Sequence, residues 1–143
     1  MEKLPDTLRE RLDKEFHFAA AGMSGAPDMQ QKLYFFSVFY GEINRVLNQW
    51  WSPELALAHS VLKDTTEQIS GRINSPMVGT PNGGIPQGFS EALDQLASDL
   101  AELFAVPKVE GARLYLALAR AAELGYAVTG NGYYLYLKGA IKV

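Results

Sequence analysis

The sequence predicts a mainly α protein: an antiparallel bundle of four to five helices with a C-terminal β-hairpin. Three observations predict it. Apolar residues recur at helical spacing in five stretches, breaks rich in glycine and proline separate them, and the last aromatic stretch is folded about a Gly-Asn-Gly turn. The tightest stripe, Leu33, Phe36, Tyr40, Ile43, Leu47 and Trp50, has gaps of 3, 4, 3, 4 and 3. That spacing keeps side chains on one helical seam, where a partner helix covers them. A chain of 143 residues, 48% hydrophobic and 20% charged, reads as one domain over 1–143, long enough to bury a core without staples.

The first helix is expected over about 5–22, with Pro5 suited to a first turn and Asp6 near the positive helix end. Its stripe is Leu4, Leu8, Leu12, Phe16, Ala19 and Met23, and Gly22 to Pro27 is its break. The second helix is expected over about 27–51; Phe35, Val38, Phe39 and Val46 fall outside its main seam. A helix apolar over most of its circumference packs on more than one side, so it is expected to be the central one. Ser52-Pro53-Glu54 then opens a third helix over about 53–74. Serine accepts a free amide hydrogen bond, proline fits the first position, and glutamate favours the helix start. Its inward residues are Leu55, Ala58, Leu62, Thr65, Ile69 and Ile73. The tight turn makes the second and third helices antiparallel neighbours.

Residues 75–88 read as a loop, since seven of these fourteen are glycine or proline. A fourth helix is expected over about 89–105 (Phe89, Leu93, Leu96, Leu100, Leu103) and a fifth over about 110–124 (Leu114, Leu118, Ala121, Leu124), with Gly125 as its stop. Tyr126 to Thr129 and Tyr133 to Leu137 flank Gly130-Asn131-Gly132, so a β-hairpin is expected over about 126–137.

Composition narrows the chemistry. The chain has no cysteine, which excludes disulfides, thiol nucleophiles and thiolate metal sites. Net charge is −3, with no block of one sign. The charged start, Met1 to Asp6, and the absence of a long uncharged run lead to the expectation of a soluble, cytoplasmic protein. No catalytic, cofactor or metal constellation emerges from the residues. Asp13 with His17, and Glu54 with His59, lack the Glu-x-x-His spacing of a carboxylate-bridged metal pair. Ser60-x-x-Lys63 lacks the companion elements of a serine acyl-transfer site. The glycines of 75–88 are followed by no Lys-Ser or Lys-Thr pair, so no phosphate cradle is read there.

Near the C-terminus, Leu100 to Lys108, a helix bearing Arg113 and Arg120, and then Gly125-Tyr126 and Gly132-Tyr133 occur in an order similar to a winged helix-turn-helix. The resemblance covers about 40 residues. It implies nucleic-acid contacts at Lys108, Arg113 and Arg120, although Glu110 and Glu123 share that helix and the turn has no basic residue.

The residues themselves carry the main expectation, an interaction protein. A two-stranded ribbon is marginal alone, and Tyr126, Tyr133, Tyr134 and Tyr136 crowd the last 18 residues. Tyrosine suits interfaces because it joins apolar area to a polar tip. A homo-oligomer, as a dimer through these tyrosines, or a subunit contacting another protein is therefore expected. A third reading is a small-ligand or enzyme site where the 75–88 loop covers Tyr40, Trp50, Trp51 and His59.

Overall fold

A computed structural model describes residues 2–74, 86–132 and 136 of the chain. Five helices form where the apolar periodicity places them: α1 (Asp6–Gly25), α2 (Met29–Leu47), α3 (Pro53–Asn74), α4 (Phe89–Leu103) and α5 (Gly111–Thr129). Local chemistry sets their starts. Asp28 accepts the amide of Gln31 at 2.8 Å to open α2. Ser52 Oγ accepts the amide of Leu55 and donates to Glu54 Oε2 at 2.9 Å, closing the first turn of α3.

The helices pack as a closed circuit in the order α1, α2, α3, α5, α4 and back to α1. Arg11 meets Glu42 and Phe16 meets Phe39, so α1 and α2 are antiparallel. Tyr40 meets His59, and Leu33 shares a groove with Ser70, so α2 and α3 are antiparallel too. Arg9 reaches Ala105 just past α4 while His17 reaches Glu102, and Arg120 reaches Asp99 while Ala92 and Leu124 share a groove, giving the same sense to α1/α4 and α4/α5. An odd circuit cannot alternate throughout. Among the main helix contacts of the described residues the parallel one is α3 with α5, whose ends meet where Gln68 and Arg72 lie beside Thr129.

The core is apolar and aromatic. Phe16, Phe36, Phe39 and Phe104 are wholly buried. Phe16 sits 4.6 Å from Phe39 and 5.2 Å from Phe104 between ring centroids, with the second pair edge-to-face. The expected stripes of α1, α3 and α4 face this core, with Ile73 half-buried at the end of α3.

Three expectations are corrected. The second helix is not central: α2 is one member of the circuit, lying between α1 and α3. Its buried residues include Leu33, Phe36, Phe39, Ile43 and Val46, while Tyr40, Leu47 and Trp50 are only half-buried. It also ends at Leu47 rather than near 51, while α1 runs on through the glycines to Gly25.

The third correction is the hairpin. Tyr126 to Thr129 belongs to α5, which passes through Gly125 and stops at Gly130, where φ is +67°. The helical spacing simply continues, from Leu118 and Ala121 to Gly125 and Val128, all buried. Left-handed backbone is readily available only to glycine, so Gly130 is the stop. No strand occurs among the described residues. Tyr136 is helical, not extended, with its amide bonded to Gly132 O at 3.1 Å. Of the expected second strand, Tyr133, Tyr134, Leu135 and Leu137 lie outside the described residues.

Candidate functional site

A helix advances about 100° per residue, so burying Leu33, Phe36 and Phe39 leaves Tyr34 on the outside of α2. Tyr34 is 70% exposed, and Phe18, on the neighbouring α1, is 61% exposed. Phe35 stands between them, its ring centroid 6.0 Å from Phe18 and 5.6 Å from Tyr34, both edge-to-face. Gly22 provides the seat for Phe35: a Cβ there would lie 2.5 Å from the ring. The result is a row of three aromatic rings on the α1/α2 face, with Phe35 touching both of the others.

On the other flank of Tyr34, a groove of about 360 Å³ runs between α2 and α3. Tyr34, Ser37, Tyr40, Thr66, Glu67 and Ser70 are among its lining residues. Ser37 Oγ donates to Tyr34 O at 2.6 Å and Thr66 Oγ1 to Leu62 O at 2.7 Å, so both hydroxyls keep lone pairs free to accept. Glu67 Oε1 lies 3.7 Å from Lys63 Nζ, one helical turn earlier. The ring of Tyr40 meets that of His59 edge-on at 6.1 Å. Burial, with a smaller contribution from Lys63, holds the His59 pKa below its ordinary value.

Three charged clusters elsewhere are ties between helices. Lys32 is buried on α2 and donates to Ser90 Oγ at 2.6 Å and to both carboxylate oxygens of Asp94 at 2.9 Å on α4. Its three hydrogens are thus all used. Buried Glu42 accepts from Arg11 Nε at 2.7 Å and lies 3.7 Å from Arg45. His17 bonds Asp13 at 2.9 Å within α1 and reaches Glu102 beyond it at 3.6 Å. The hydrogen bond to the Asp13 backbone raises the His17 pKa; burial opposes it, and Glu102 and the nearby negative charge add smaller upward contributions. Among the described residues no group of three or more His, Asp or Glu side chains is placed to hold a metal ion.

The residues singled out from the sequence are scattered. Lys108, Arg113 and Arg120 are all exposed, but Arg120 Nη1 is bound to Asp99 Oδ2 at 2.7 Å. The winged arrangement lacks its first wing strand, which is the end of α5. Tyr126 is 39% and Tyr136 74% exposed; Tyr133 and Tyr134 lie outside the described residues. Tyr40 and His59 do meet, as the ligand-site reading required, but Trp50 and Trp51 are at the far end of α2. Residues 75–85 of the expected loop lie outside the described residues; the end of α3, a helix of 22 residues that precedes them, is roughly 33 Å from that corner. The start of α4, which follows them, is tied to Lys32 at the start of α2. The helix ends that flank this segment and the two tryptophans therefore lie at opposite ends of the bundle.

Phe18, Tyr34 and Phe35 were missed as a group. The available signal was Phe18 itself, an aromatic out of register with the stripe of its own helix. Among the described residues no helix is long and apolar enough to cross a membrane. Comparison with protein-family models, curated proteins and solved structures finds no match to the chain.

Proposed function

We propose that the protein works by protein–protein contact, through the aromatic row on α1 and α2. One observation carries the reading: Phe18 and Tyr34 are 61% and 70% exposed while joined through Phe35 into a supported row. Scattered exposed apolar residues are ordinary; adjoining ones mark contact surfaces. Rigid aromatics lose little freedom on binding and dominate interface energetics. A dimer is one form of this reading, with a second copy as the partner and these rings replacing the C-terminal tyrosines as its centre.

The test compares wild type with a Phe18→Ser/Tyr34→Ser double variant. Light scattering of the purified chain reports self-association, and quantitative affinity capture from producing cells reports other partners. A stoichiometric partner or second copy is expected with wild type and reduced about tenfold or more in the variant, at equal thermal midpoints. Equal association of both proteins would overturn the reading.

A further inference from the structure

We propose that the groove between α2 and α3 receives a basic side chain, lysine or arginine, from the partner that covers the aromatic row. The inference rests on the interaction reading above and adds the chemistry of the partner. Tyr34 belongs to both surfaces, forming one end of the row and one wall of the groove. A partner seated on the row therefore reaches the groove without a second docking event.

The groove's lining selects the charge. Glu67 is the one ionised side chain among its lining residues; the others are tyrosines, hydroxyls, an amide and a leucine. His59, next to Tyr40, has its pKa lowered by burial, which disfavours its charged form. A carboxylate beside tyrosine rings attracts a cation twice, through its charge and through the ring quadrupoles, and repels an anion. Glu67's neighbour Lys63 is no barrier. Their 3.7 Å contact joins two half-exposed side chains one turn apart, and such pairs are weak enough for an incoming cation to displace. The acceptor lone pairs of Ser37 and Thr66 offer further sites for ammonium or guanidinium hydrogens.

The experiment is a nitrogen-15 NMR titration of the full chain with the N-acetyl, N-methylamide forms of lysine, norleucine and glutamate at matched ionic strength. The lysine probe is expected to shift the amides of Ser37, Thr66, Glu67 and Ser70 saturably. Norleucine should bind there about fivefold more weakly, and glutamate should not bind. Glu67→Gln should weaken the lysine probe about fivefold, and Tyr34→Leu, which keeps apolar area but removes the ring, should weaken it as well. Glu67 is exposed, so the variant folds, and an unchanged thermal midpoint verifies this. Equal response to lysine and norleucine at the groove, no saturable lysine response, or indifference to Glu67→Gln would each overturn the inference. If norleucine still shifts Phe18 and Phe35, the interaction reading survives that failure. Wild-type association by the Phe18→Ser/Tyr34→Ser variant sinks the interaction reading itself.

Discussion

The ring of Phe35 on α2 lies directly over Gly22 on α1, so close that a Cβ at position 22 would come within 2.5 Å of two ring carbons and 2.8 Å of Cγ. Alanine normally stabilises a helix interior over glycine by about 1 kcal/mol. Here Gly22→Ala must push aside a ring that is itself wedged against Phe18 and Tyr34, at a cost of about 1–3 kcal/mol. The substitution is therefore expected to leave stability unchanged or lower it. Gly71, in α3, has nothing within 4 Å of a built Cβ, so Gly71→Ala is expected to stabilise by up to about 1 kcal/mol. Urea midpoints of the two variants check the contrast; equal gains would show that the Phe35 ring yields freely.

Phe16 and Phe18 are two residues apart on α1 and should behave oppositely. Phe16 is wholly buried against Phe39 and Phe104, and Phe16→Ala is expected to cost about 3–5 kcal/mol. Phe18 is largely exposed, and Phe18→Ala is expected to change stability by only about 0.5 kcal/mol either way. Thermal unfolding distinguishes them. A large loss from Phe18→Ala would mean that the ring serves the fold rather than a partner.

The Lys32–Asp94 tie is asymmetric. The Lys32 side chain is 9% exposed and that of Asp94 31%. Removing the carboxylate strands a buried ammonium; removing the lysine leaves a carboxylate that water can reach. Asp94→Ala is thus expected to lose about 2–3 kcal/mol, and Lys32→Met clearly less. Chemical denaturation of both variants near neutral pH is the measurement, and the reverse ranking would contradict the burial argument.

The two histidines pull the pH dependence of stability in opposite directions. His17 has a raised pKa when folded, so its stabilising contribution is fully present below the unfolded value and fades as pH rises through the folded one. His59 has a lowered pKa, so its contribution is present above the unfolded value and is lost as pH falls through the folded one. His17→Gln is expected to lower the melting temperature at pH 5 but not at pH 8. His59→Gln is expected to remove part of the acid-side loss. Melting curves across this range test both signs.

Much of the fold was legible because apolar spacing alone decides which face of each helix is buried. Phe89, Leu93, Leu96, Leu100 and Leu103 are read off the sequence as the inner face of α4 and lie there. Ser52 caps α3 as its place before Pro53 implies. The failures have physical causes. Tyr126 to Thr129 is short, aromatic and β-branched, so its residue types suggest a strand, yet Val128 continues the period of α5 and is buried with it. The broad apolar circumference of α2 suggests a central helix, yet two flanking helices account for it, with Phe35 and Val38 only partly buried. The aromatic row is not legible in the sequence because it joins one outward residue of α1 to two on α2. Only the close approach at Gly22, which involves no side chain of its own, brings them together.

An odd number of helices has one more consequence. Peptide dipoles in an alternating even bundle cancel in pairs, whereas this circuit retains the moment of one helix, equivalent to about half a unit charge at each pole. The positive pole gathers the amino ends of α1, α3 and α5, and each of them carries an acid: Asp6, Glu54 and Glu110. Glu54 is held below its ordinary pKa chiefly by a backbone amide, its own, and then by Ser52. The chain has thus placed compensating anions at the pole where uncancelled dipole would otherwise accumulate.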